Sequence, residues 1–137
     1  MKLLNNDLFT IALPPIVLLV LHVLITEVGL YERFWWFDIP MHFLGGILVA
    51  LAVLGVLNHF VQEKMLMINS LALKILIVVS VTALFAVSWE TMEFLSDIYF
   101  NTGLQASLSD TMKDMSMGII GASVVSLVLY LKSLSKK

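Results

Sequence analysis

A chain of 137 residues, 60% apolar and only 13% charged, carries too few charges to cover a water-facing domain of its size. With a mean hydropathy of +0.99, a net charge of −2 and no basic, aromatic-interleaved stretch, it is not a nucleic-acid binder. The absence of cysteine excludes disulfides and thiolate chemistry, and leaves the redox compartment unread.

In chain order, the residues predict an all-α polytopic membrane protein, a single transmembrane domain over residues 1–137. Its bundle of four transmembrane helices covers about residues 8–26, 39–61, 70–94 and 110–131, each near the ~20 residues a bilayer requires. The first span contains Pro14 and Pro15, expected to begin or kink its helix, and His22, read as a packing histidine. Lys2 ahead of an apolar run also fits a cleaved leader. The run is longer than the usual ~7–15-residue core and no small-x-small site follows, so the span is read as retained. Residues 27–37 form a connector with the run Phe34-Trp35-Trp36-Phe37, an interfacial signature.

The second span starts with Asp38 as the expected N-cap and Pro40 in the first turn. His59, near its far end, is expected to be solvated. Residues 62–69 make a short polar loop, and the third helix is expected to run on toward Ile98. Asn101-Thr102-Gly103 marks a turn, and Ser107 with Asp110 forms the S-x-x-D pattern of a capping box at the fourth span. Lys2, Lys64, Lys74, Lys132, Lys136 and Lys137 fall on one side of this arrangement, Arg33 and Lys113 on the other. The positive-inside rule therefore predicts cytoplasmic N- and C-termini, in a multi-pass protein of the inner membrane.

The functional signal is acidic. Residues 88–115 hold five of the ten acidic residues. Glu90, Glu93 and Asp97 share one helical face at i, i+3 and i+7; Asp110 with Asp114, and Asp38 with His42, stand at i, i+4. In the four-span topology all these groups lie at the outer end of the bundle, within the reach of two helical turns. An ionisable residue inside a span costs ~2.5–3.5 kcal/mol on insertion scales, and Glu90 and Glu93 also face an unfavourable helix C-terminus. Something cationic must offset them. The candidates are Arg33, Lys113, protonated His42, shared protons or a metal.

Carboxylates with one imidazole suit Mg²⁺, Mn²⁺, Ca²⁺ or Zn²⁺. The expected ligands are Asp38, His42, Glu90, Glu93, Asp110 and Asp114, with His42 and Glu93 as candidates for catalysis. Asp38 is expected at the rim of the shared cavity and Asp97 nearer water. A protonated carboxylate network and simple ion pairing are the alternatives. Met92, Met112, Met115 and Met117 nearby are read as gap fillers, with a copper site as the sharper alternative. Gly45, Gly46, Gly118 and Gly121 follow the acidic positions and let helices approach closely.

The function that fits first is a metal-dependent hydrolase acting on a lipid or lipid-linked phosphate at the outer leaflet, with membrane lipid as partner. A cation- or proton-coupled transporter or channel subunit is the second reading, and a non-catalytic scaffold the third. A homo-oligomer is compatible with each.

The motifs FDIPMHFLGG, WETMEF and SDTMKDMSMGIIGA, in that order, resemble the YjdF-type inner-membrane proteins, a family without an established activity. The resemblance covers residues 38–121 and puts Asp38, His42, Glu90, Glu93, Asp110 and Asp114 on motif positions. A more distant similarity connects the same motif order to VanZ-like membrane proteins. The resemblance implies a shared site in an inner-membrane bundle and names no reaction.

Overall fold

The structure is a computed structural model, which describes the backbone of residues 3–135 and the side chains of Phe9 and of residues 11–135. Lys2, Lys136 and Lys137, which enter the charge argument, lie outside the described residues. The elements are α1 (Leu3–Glu27), α2 (Leu30–Arg33), α3 (Asp38–Gln62), α4 (Leu71–Phe100) and α5 (Leu108–Leu134), with no strand among the described residues. α3, α4 and α5 are each long and apolar enough to cross a membrane, and α1 contributes a shorter apolar stretch, Ile11–Glu27.

Local chemistry explains most boundaries. Ser70 caps α4 by accepting from the Leu73 amide at 3.3 Å, and Ser107 caps α5 by accepting from the Asp110 amide at 3.2 Å. α4 ends where Asn101 turns left-handed (φ 53°), six residues beyond the expected span edge at 94. One local expectation is corrected and two are made finer. Of the two placements expected for the prolines, beginning the helix or kinking it, they do not begin it, for both lie inside α1. Phe37, not Asp38, is the N-cap of α3, and Asp38 opens the helix with its side chain free for other partners. The connector contains the one-turn helix α2, entered through Gly29 at φ 66°, a conformation that favours glycine.

Contacts between small residues fix how the helices run. Ile11 meets Gly55 and Leu18 meets Gly45, so α1 is antiparallel to α3. Gly46 abuts Gly118 and Gly121 abuts the backbone of Phe43 and Ile47; with Asp114 beside Asp38 and His42 at one end and Ala122 clustered with Ala50 toward the other, α3 and α5 run parallel in close contact. Gly118 meets Ala86 of α4, and α4 runs antiparallel to both, since Lys74 near its start reaches Asn58 while Glu90 near its end lies beside His42. At one end of the bundle, therefore, the starts of α3 and α5 meet the last turns of α4 and α1. Toward the other end lies a small apolar core of Ala50, Leu57, Val78 and Ala122. Elsewhere large apolar side chains face outward, from Leu19 and Val23 on α1 to Leu84 on α4 and Leu127 on α5. A water-soluble domain would bury these; here they form the surface that faces lipid.

Candidate functional site

The end of the bundle where α3 and α5 begin collects the acidic groups. Asp38 and His42 stand one turn apart on α3, with His42 Nε2 3.3 Å from Asp38 Oδ1. Across the α3–α4 contact, the same Nε2 is 3.7 Å from Glu90 Oε1. Asp114 comes from α5, and one ligand atom each of Asp38, His42 and Asp114 lie within 4.8 Å of one another. Two donors on opposite sides of a divalent ion are separated by twice the ion–ligand distance, ~4–5 Å for lengths of ~2.0–2.6 Å. The trio is thus compact enough to share one ion.

Burial sharpens the argument. Glu90 is 5% exposed and Asp114 3%, and Glu90 Oε1 and Asp114 Oδ1 have no hydrogen-bond partner. Partnerless buried carboxylate oxygens are costly unless a cation meets them. The basic side chains expected as counter-charges are engaged elsewhere. The Arg33 guanidinium lies 5.9 Å from the centre of the Phe34 ring, and Lys113 Nζ is 3.8 Å from Asp110 Oδ1. Among the described residues, no lysine or arginine ion-pairs with Glu90, Glu93 or Asp114, which leaves His42 as their adjacent basic group.

The six expected ligands divide into three sets. Asp38, His42 and Asp114 form the compact group, with Glu90 against its imidazole. Glu93 stands one turn outward of Glu90, accepts a 2.7 Å hydrogen bond from Trp89 Nε1 and lines a cavity with Asp38 and His42. Asp110 stands apart beside Lys113 at the helix start, about one-third exposed. Asp97 organises the loop at residues 101–107, accepting from the Thr102 hydroxyl and the amides of Leu104 and Gln105. Met112 and Met117 line a shallow depression with Lys113 and Ile39, a lining that includes none of Asp38, His42 and Asp114.

Two residues beside the site, Tyr31 and Trp89, escaped the reading of the sequence, while His22 is the hydrogen-bonded packing histidine it was expected to be and also lines the cavity. His22 is hydrogen-bonded to the Tyr31 hydroxyl at 3.3 Å, and its ring meets that of Trp89 edge-on at 5.1 Å. All three line the cavity with Asp38, His42 and Glu93. Depth was the available signal for His22, which precedes the outer end of its span by about as many residues as His42 follows the outer start of the next. Trp89 stands at i, i+4 from Glu93, a legible pairing. Tyr31 had no periodic signal, since its position depends on the turn at Gly29. His59 is half-buried beside Phe60 at 6.0 Å, in place of the solvated position expected.

A helical membrane protein with a buried carboxylate–histidine group at one end of its bundle is the class that fold and site define. The chain belongs to the DUF2238 family of predicted membrane proteins, whose model matches residues 8–134. That family description names a location and no reaction. No curated protein and no solved structure matches the chain.

Proposed function

We propose that the protein binds a divalent metal ion at Asp38, His42 and Asp114, with Glu90 adjoining, and uses it to act on a phosphate-bearing lipid at the outer face of the inner membrane. One observation carries the metal reading: three ligand atoms within 4.8 Å, beside buried carboxylate oxygens that have no hydrogen-bond partner. Two carboxylates and one imidazole favour Mg²⁺, Mn²⁺, Ca²⁺ or Zn²⁺ over a soft ion. The topology proposed with it has four crossings, α1 included, and both termini cytoplasmic, which puts the acidic end outside. The YjdF-type resemblance is consistent with the family and with this site.

Hydrolysis of a phosphate ester is the reaction that suits the site. A bound divalent ion supplies charge stabilisation at phosphorus and an activated water. His42 stands within the ligand group, so the proton-accepting role falls to Glu93, oriented by the Trp89 hydrogen bond and facing the same cavity. A transport reading has less support. Inward of the site Ala50, Val78 and Ala122 are at most 1% exposed, and the Thr82 hydroxyl bonds back to Val78 of its own helix, so among the described residues a buried apolar layer lies next to the site.

The experiment is a metal titration of detergent-purified protein followed by thermal unfolding and by Mn²⁺ electron paramagnetic resonance. A ligand at a hundredfold excess over its dissociation constant stabilises by ~2.7 kcal/mol, so wild type should melt later with metal than with EDTA. Asp114→Asn should lose that difference. Identical melting of wild type with EDTA and with each of the four ions would refute the metal site.

A further inference from the structure

The polar cavity does not end at the carboxylates. α1 and α4 both flank α3 without packing closely on each other, and a cleft of about 330 Å³ remains between them with α3 as its floor. That volume lies in the usual ~300–1,000 Å³ range of ligand sites. Its outer end is polar, formed by Tyr31, Asp38, His42, Trp89 and Glu93. Its inner end is mainly apolar, lined by Pro15, Leu18, Leu19, Val49 and Phe85, with Thr82, whose hydroxyl is taken up by the Val78 carbonyl, as the polar exception. Leu19 and Phe85, on the two walls, are 59% and 57% exposed, so the inner part opens sideways toward the surrounding membrane.

Length makes this gradient specific. From Asp38 to Val49 the floor helix rises by ~16 Å at ~1.5 Å per residue. One leaflet of a ~30 Å hydrocarbon core has nearly the same depth. Glycine at position 45 keeps the floor open, for a Cβ there meets nothing nearer than Leu18 at 3.6 Å and a longer side chain would enter the cleft. At the polar end His22 of α1 touches Trp89 of α4, joining the two walls beside the carboxylates. A slot one leaflet deep, apolar within and acidic at the headgroup end, matches one hydrocarbon chain of an amphiphile. Spread over that ~16 Å, a volume of about 330 Å³ gives a mean cross-section of ~20 Å², far below that of a transmembrane helix ~10–12 Å across with its side chains.

We infer that the α1–α4 cleft holds one hydrocarbon chain of an outer-leaflet phosphate lipid, with its headgroup at the Asp38–His42–Glu93 end. The phosphate part rests on the metal reading above, since carboxylates alone repel an anion; the chain slot stands on the shape and lining of the cleft.

Native mass spectrometry of delipidated protein in non-ionic detergent tests this, with dioleoyl phosphatidic acid as probe, in Mn²⁺ or EDTA. Wild type should take up one saturable lipid, more tightly with Mn²⁺. Gly45→Leu, and separately Leu19→Trp at an exposed wall position, should weaken that adduct about tenfold or more, because expelling even two methylenes costs that much. Both variants should still bind Mn²⁺, which certifies their fold. Retained Mn²⁺ binding with an unchanged adduct, or a ladder of many equivalent lipids, overturns the slot and leaves the metal site standing. A single adduct lost on filling the cleft, with no Mn²⁺ binding in wild type, supports the slot and removes the metal reading. A co-purifying polypeptide displaced by Gly45→Leu would also overturn the lipid assignment.

Discussion

Tyr31 sits where α2 folds back over the site, its hydroxyl on His22 and its ring 6.3 Å from that of Phe37. Burial, with the charges of Asp38 and Glu93 nearby, pushes its phenol up to about 12 from an ordinary 10.0. A neutral form favoured by the fold contributes stability that is fully present below the unfolded pKa and is lost as pH rises through the folded one. Stability should therefore fall between pH 10 and about 12. An ultraviolet titration should find one of the three tyrosines ionising near pH 12, and Tyr31→Phe should remove that step. If the variant's late step is unchanged, Tyr31 is not the buried phenol. Asp114 supports an opposite-sign test. Its partnerless buried oxygen is unfavourable without a cation, so Asp114→Asn should raise the melting temperature in EDTA while removing the gain from metal. A purely structural aspartate would instead lose stability in both conditions.

Between elements, the α3–α5 contact depends on glycine at particular positions. A Cβ on Gly46 would strike the Gly118 carbonyl, with the Gly118 carbonyl carbon at 2.7 Å; one on Gly121 would strike the Phe43 carbonyl, with the Ile47 nitrogen at 2.9 Å. Those obstacles are backbone, so the helices themselves must separate. Gly46→Ala and Gly121→Ala should each destabilise by at least the ~1–3 kcal/mol of typical overpacking. Gly118→Ala, facing the Ala86 methyl at 3.3 Å, should cost less, and Gly45→Ala, with Leu18 at 3.6 Å, should be nearly neutral. Thermal unfolding in detergent ranks the four, and equal effects would show that the close contact does not carry the fold. The same contact sets the site, because His42 and Asp114 each stand one turn outward of the glycine pair.

For the whole molecule, the orientation of the bundle decides which side of the membrane the carboxylates serve. The chain has no cysteine, so single replacements report cleanly. Ser135→Cys should be shielded from an impermeant maleimide in intact cells, whereas Gln105→Cys, in the loop joining α4 to α5, should label. The reverse pattern would turn the acidic end toward the cytoplasm and remove the outer-leaflet substrate. The helical membrane class was already legible in the residues, because 60% apolar content and spans of about twenty residues leave a helix as the way to satisfy backbone groups in hydrocarbon. So were the i, i+3 and i, i+4 acidic pairs and the Ser107 cap, since spacing on one helix is a local property. Tertiary structure alone decided that Asp38, His42 and Asp114 share a point while Asp110 turns to Lys113, and that His22, Tyr31 and Trp89 join them. The reason is rotational: sequence spacing sets which residues share a face and roughly how deep they lie. Which way each face turns follows from the contact of Gly46 with Gly118 and from the turn at Gly29, where helices distant in sequence meet.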